Sequence, residues 1–137
     1  MSFLLAACCL IQLAAAYQEI FTWEAFSDKL LGLPTLLEQR GIDPGTQSDL
    51  MTMTGQLGMN QGLYNIFLAA GMVPAMIYGF TGGSATLAIF SLLCMAVAGI
   101  FGALTVPSPD GSNRNLITFG IQAIPPIVTL IVACFAT

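Results

Sequence analysis

The chain contains no histidine, and its basic residues number three, Lys29, Arg40 and Arg114. Without histidine there is no Ser-His-Asp or Cys-His nucleophile pair, no histidine-ligated haem and no zinc site of the usual kind. Three scattered cations exclude a nucleic-acid footprint, which needs clustered Lys and Arg. Charge of either sign is scarce, at 7% of 137 residues, where a soluble domain carries about 25%. With 56% hydrophobic residues and a mean hydropathy of +0.84, the solvent implied is a bilayer. The four cysteines, Cys8, Cys9, Cys94 and Cys134, form no C-x-x-C pair and all lie in apolar runs. They read as small buried hydrophobes, and no metal site is expected.

What is present is long apolar sequence. Four runs, residues 3–23, 61–80, 85–106 and 115–136, meet the length of about 20 residues that a bilayer core demands. Each is expected to be helical, because lipid offers no partner for free backbone groups. LAAC at 5–8 and LAAA before Tyr17 resemble processing sites, but neither follows a basic segment, so the first run is read as a membrane helix. Residues 24–60 hold most of the charge, and Pro34, Gly41 and Asp43-Pro44-Gly45 punctuate them as a loop. Within it Leu30, Leu31, Leu33, Leu36 and Leu37 suggest a short amphipathic piece on the membrane surface, and residues 48–59 a helical lead-in to the second span. Residues 81–84 read as a tight turn and 107–113 as a loop. The expectation is one domain over 1–137, an all-α membrane protein with four transmembrane helices in an up-down bundle and one long polar loop between helices 1 and 2. All three basic residues fall in the 1–2 and 3–4 connections, which places that face in the cytoplasm and both termini on the other side.

Small residues recur at helix-packing spacing: Gly71, Ala75 and Gly79 on the second span, Gly99, Gly102 and Ala103 on the third. Such stripes let helix backbones approach closely in lipid. Pro74 and the pair Pro125-Pro126 lie inside spans and should kink them.

The polar side chains within the spans converge by depth. In an up-down bundle Glu19, Asn60, Gln61, Tyr64, Asn65, Thr105 and Gln122 all fall in the loop-facing half. Asn60 and Tyr64 are four apart, as are Gln61 and Asn65, so these four share a polar face. Gln12, Ala16, Glu19 and Trp23 share a stripe on the first helix. An ionisable residue within a span faces the bundle interior and finds a partner. Glu19 is therefore expected to point inward and bond to the 60–65 face, with Tyr64 and Asn65 as its inner members and Gln122 joining them. Two uses of such a cluster stay open, interhelical glue and a ligand or substrate site. Tyr17, Trp23, Tyr64 and Tyr78, near span ends, read as interfacial belt residues.

YQEIFTW at 17–23, NQGLYNIFLAAG at 60–71, AGIFGALTV at 98–106 and IQAIPPIVTL at 121–130 together resemble a family of small membrane proteins catalogued as domain of unknown function 1304. The resemblance covers nearly the whole chain in order, and its motif residues are matched by Glu19, Phe21 and Trp23, by Asn60, Gln61, Tyr64 and Asn65, by Gly99 and Gly102, and by Gln122 with Pro125. Members of the family often carry Glu-His where this chain has Ile11 and Gln12, so a proton-transfer or metal role resting on that histidine does not carry over. The connection after the first helix is also longer than the resemblance implies.

Three functions are compatible with these residues. The first is a structural or accessory subunit of a larger membrane complex, packing against lipids, neighbouring subunits or an apolar cofactor. The second is a membrane enzyme acting on a lipid-soluble small molecule, with Glu19 as acid or base. The third is a small transporter subunit, for which one buried carboxylate makes a poor ion path. The sequence identifies no cofactor.

Overall fold

The computed structural model describes residues 1–29, 32–105 and 116–136, and no strand occurs among them. The chain opens with α1, Ser2–Phe21, built from Leu, Ala and Cys, and breaks at Thr22, whose N–H closes onto the Gln18 carbonyl. Two short helices come next, α2 (Trp23–Lys29) and α3 (Leu33–Gln39). The helix after them, α4 (Pro44–Tyr78), is 35 residues long, or about 52 Å at 1.5 Å per residue. Then come α5 (Gly82–Thr105), α6 (Leu116–Thr118), a π-helical segment (Phe119–Ala123) and α7 (Ile124–Ala136), the last three forming one unbroken rod.

The start of α4 corrects the expected loop over 24–60. Asp43 accepts from the N–H groups of Gly45 and Thr46 at 3.1 Å each, and Pro44 occupies the first helical turn. Asp-Pro here is a helix start, an N-cap followed by a residue whose missing N–H has no helical use. Residues 44–60 are therefore helix, continuous with the second apolar run, and the expected helical lead-in over 48–59 lies within it. Likewise α5 begins inside the expected turn at 81–84. Of the amphipathic leucines, Leu33, Leu36 and Leu37 are half-buried in or beside α3. Leu30, Leu31, Arg114, the expected loop at 107–113 and the span ends at 106 and 115 lie outside the described residues.

Consecutive rods run antiparallel and close into a ring. Cys9 donates to the Ala69 carbonyl between α1 and α4, Gly71 faces Ser91 between α4 and α5, and Gly99 meets Ala123 between α5 and the final rod. Cys8 and Thr129 close α1 onto α7, with Sγ and Oγ1 3.4 Å apart. Thr129 spends its hydroxyl hydrogen on the Pro125 carbonyl at 2.8 Å, so the Cys8 thiol is the donor in that pair.

The interior is made of small and flexible side chains: Cys8, Cys9, Ala69, Met72, Ala75, Ala88 and Met95, with Leu5 and Leu92. The large ones point outward. Seven of the nine phenylalanines, Phe3, Phe21, Phe67, Phe90, Phe101, Phe119 and Phe135, are exposed, whereas water-soluble folds bury this residue type. Two helices, Ser2–Phe21 and Gly82–Thr105, are long and apolar enough to cross a membrane, and Phe119–Phe135 is apolar but shorter.

The packing stripes are partly where spacing put them. Ala75 and Ala103 are buried, and a Cβ on Gly99 would sit 2.6 Å from the Ala123 nitrogen. A Cβ on Gly102 would lie 3.1 Å from Thr118 Cγ2, and one on Gly71 would meet the Ser91 hydroxyl. Gly79 is a correction: it has open space around it and φ of 86°, and it ends α4 rather than packing it. Only glycine adopts that backbone without strain.

Candidate binding site

Glu19, in the last turn of α1, is buried, and so is Asn65 of α4. Asn65 Nδ2 donates to Glu19 Oε2 at 2.7 Å. The two helices come close enough because Gly62 has no side chain. A Cβ there would be 2.5 Å from Ile20 Cγ1 and 3.2 Å from the Ala16 carbonyl.

The pair lines a cavity of about 430 Å³ formed between α1, α2, α4, α5 and the final rod. Gln12 lies two turns deeper on α1, 3% exposed, and its Oε1 has no hydrogen-bond partner. Trp23 covers the loop-facing end. Its indole lies over Gly55 and Gly58, where an added Cβ would come within 3.0 and 2.7 Å of the ring, and its Nε1–H is also buried without a partner. Gln61 and Gln122 complete the polar lining, with Met95 and Phe26 among the apolar part.

Gln122 reaches the cavity from the π-helical segment. There the Ile124 N–H bonds to the Phe119 carbonyl five residues back. Pro125 and Pro126 supply no N–H to the turn before them, so the wider winding costs little backbone bonding at this point. Insertions of this kind concentrate at functional sites.

The expected cluster is thus assembled in part. Glu19, Asn65, Gln61 and Gln122 share one cavity. Asn60 and Tyr64 do not line it; they and Gln61 are exposed, so Asn65 is the inner member of the 60–65 face and Gln61 stands at the cavity's rim. Trp23 covers the cavity rather than standing in an interfacial belt, while Tyr17, Tyr64 and Tyr78 are exposed. Spacing alone pointed less clearly to Gln12 and to the glycine strip Gly55, Gly58 and Gly62. Gln12 carried a signal, an amide seven residues from Glu19 on the same stripe. The glycines lie at or before the edge of the second apolar run, in and just after the expected helical lead-in, where nothing in the sequence says which neighbour their face meets.

Chemically, the cavity offers one carboxyl and several amides. Among the described residues no group of three His, Cys, Asp or Glu could hold a metal ion. The arrangement can hydrogen-bond a neutral molecule, and Glu19 can exchange a proton with it.

The chain belongs to the family described as "Protein of unknown function (DUF1304)", whose model matches residues 4–134. That match spans every residue of the cavity. Neither the curated proteins nor the solved structures contain a match to the chain.

Proposed function

We propose that the chain is an integral membrane protein of four spanning helices that holds a small lipid-soluble molecule in the Glu19 cavity. Gln12 carries this reading. An acceptor buried without a donor costs about 1–3 kcal/mol, and its side chain lines a space of about 430 Å³, within the range of small-molecule pockets. A donor on a bound molecule removes that cost.

The membrane part rests on the outward phenylalanines and on the two helices long and apolar enough to span. Residues 61–78 of α4 and the final rod run beside those helices at the same depth, with Leu63, Phe67, Ile77, Ile131 and Phe135 facing out. Lys29 and Arg40 come after α1 at the Glu19 end, which supports a cytoplasmic position for that end and the opposite side for both termini.

Organic extraction of protein purified in lipid nanodiscs, followed by mass spectrometry, tests the binding reading. Wild type should carry a near-stoichiometric small molecule that Gln12→Leu loses while keeping its helicity. Identical extracts from the two proteins would sink it.

Two other readings have narrower support. Glu19 is the sole ionisable side chain lining the cavity among the described residues, which favours an enzyme using it as acid or base on the bound molecule. Met53 and Leu57 are exposed on the part of α4 that extends past the end of α1, which favours an accessory subunit docking there.

A further inference from the structure

Resting on the binding reading, we infer that the occupant is a single-chain lipid alcohol, its uncharged hydroxyl-bearing head in the Glu19 cavity and its hydrocarbon chain in a lipid-facing groove between α1 and the final rod. That groove, about 270 Å³, adjoins the cavity and shares Glu19, Phe26, Thr118 and Gln122 with it. The two spaces differ in what each adds. Gln12, Trp23, Gln61 and Asn65 line the cavity alone. Ile11, Ala14, Ala15, Gln18 and Ile121 line the groove alone, and Ala14 and Ile121 are exposed on the outer surface of the bundle. A chamber carrying the amides of Gln12, Gln61 and Asn65, beside a groove open to lipid, matches a molecule with a head and a tail.

The head is identified by an unpartnered atom. Gln12 Oε1 lines the cavity and needs a donor, which a hydroxyl on the head supplies. An anionic head is disfavoured, because among the described residues no cationic side chain lines either space while the Glu19 carboxyl lines both. The tail runs from Glu19 to Ile11, eight residues or about 12 Å along α1, toward the middle of the bilayer. Phe26 stands between the two spaces on the seven-residue helix α2, and turning its ring joins them. The molecule therefore arrives sideways from the membrane.

The test uses phosphatidylcholine proteoliposomes containing a 1-monoacylglycerol with a diazirine in its chain. After irradiation, adducts are mapped by mass spectrometry. Adducts at Ile11, Ala14, Ala15 and Ile121 should exceed those at Val97 and Phe101, which are exposed on α5, by about tenfold, the ratio given by 1.4 kcal/mol of site preference. Excess monooleoylglycerol should abolish the excess, as should Ala14→Trp, which fills the groove from its lipid side. Adducts spread in proportion to exposure would overturn the assignment, and so would an equal excess from the fatty acid bearing the same chain. If the Gln12-dependent molecule is still present in the extracts, that outcome removes the acyl-chain assignment alone; if it is absent, the cavity reading falls as well.

Discussion

Asn65 of α4 hands a hydrogen to Glu19 of α1 across 2.7 Å, beside a glycine, Gly62, that lets those helices approach. The bond joins a carboxyl and an amide 46 residues apart in sequence.

Removing the donor should cost more than changing the acceptor. Asn65→Leu leaves a buried carboxyl unsatisfied and should destabilise the bundle by about 1–3 kcal/mol. Glu19→Gln keeps an acceptor oxygen and should stay close to wild type. The coupling between the two sites should be near the 0.6 kcal/mol typical of interhelical bonds in membranes. Reversible unfolding in mixed micelles measures all three, and a neutral Asn65→Leu would contradict the bond.

Alanine at the glycines should grade by what its Cβ meets. Gly99→Ala meets Ala123 backbone, which cannot rotate away, and should cost at least the 1–3 kcal/mol of an overpacked core. Gly62→Ala meets the Ile20 side chain and should cost less. Gly71→Ala meets a Ser91 hydroxyl that can turn, and should be mildest. Thermal unfolding in nanodiscs should return that order.

Trp23 is the single tryptophan and its N–H is buried. Its emission should be blue-shifted and resistant to iodide. Gly58→Ala, whose Cβ would lie 2.7 Å from the ring, should displace the indole, red-shift the emission and expose it to iodide. An unchanged spectrum would mean that the indole does not rest on the glycine strip.

Replacing Pro125 and Pro126 by alanine restores two N–H donors. The π-helical segment should then relax to ordinary winding and rotate Gln122 by about 100°, one residue's turn. Helix stability should rise while the extracted small molecule is lost. Retention of the molecule would show that the wider winding does not position Gln122 for binding.

Asp43, exposed at the start of α4, gives a pH signature. Its carboxylate accepts from the Thr46 hydroxyl and N–H and from the Gly45 N–H, which hold its pKa below the ordinary 3.8. A depressed folded value means that the stabilisation is present above 3.8 and is lost as pH falls through the folded value. Amide protection factors over residues 45–48 should fall on that acidification, and Asp43→Ala should show low protection at every pH.

The 60–65 stretch shows what a spacing argument resolves. At 100° per residue, Asn60, Tyr64, Gln61 and Asn65 fan over about 140° of the helix, too wide to face one neighbour. The side of α4 that meets α1 is set by Gly58, Gly62, Asn65 and Ala69. Asn65 falls within it, Gln61 at its edge, and Tyr64 and Asn60 beyond it. Asp43-Pro44 shows a second limit: the same residues mark a loop or a helix start, depending on whether the chain after them can pack as a helix.

The sequence by itself determined an all-helical chain, the family, the apolar runs and the depth at which Glu19, Asn65 and Gln122 would meet, because each depends on local composition and on distance along the chain. Tertiary structure decided the rest. It made residues 44–60 one helix with the second apolar run, laid Trp23 on Gly55 and Gly58, turned Tyr64 outward, and left Gln12 facing a cavity without a donor. Those outcomes depend on the rotation of one helix against another, which is set by close contacts between residues far apart in sequence.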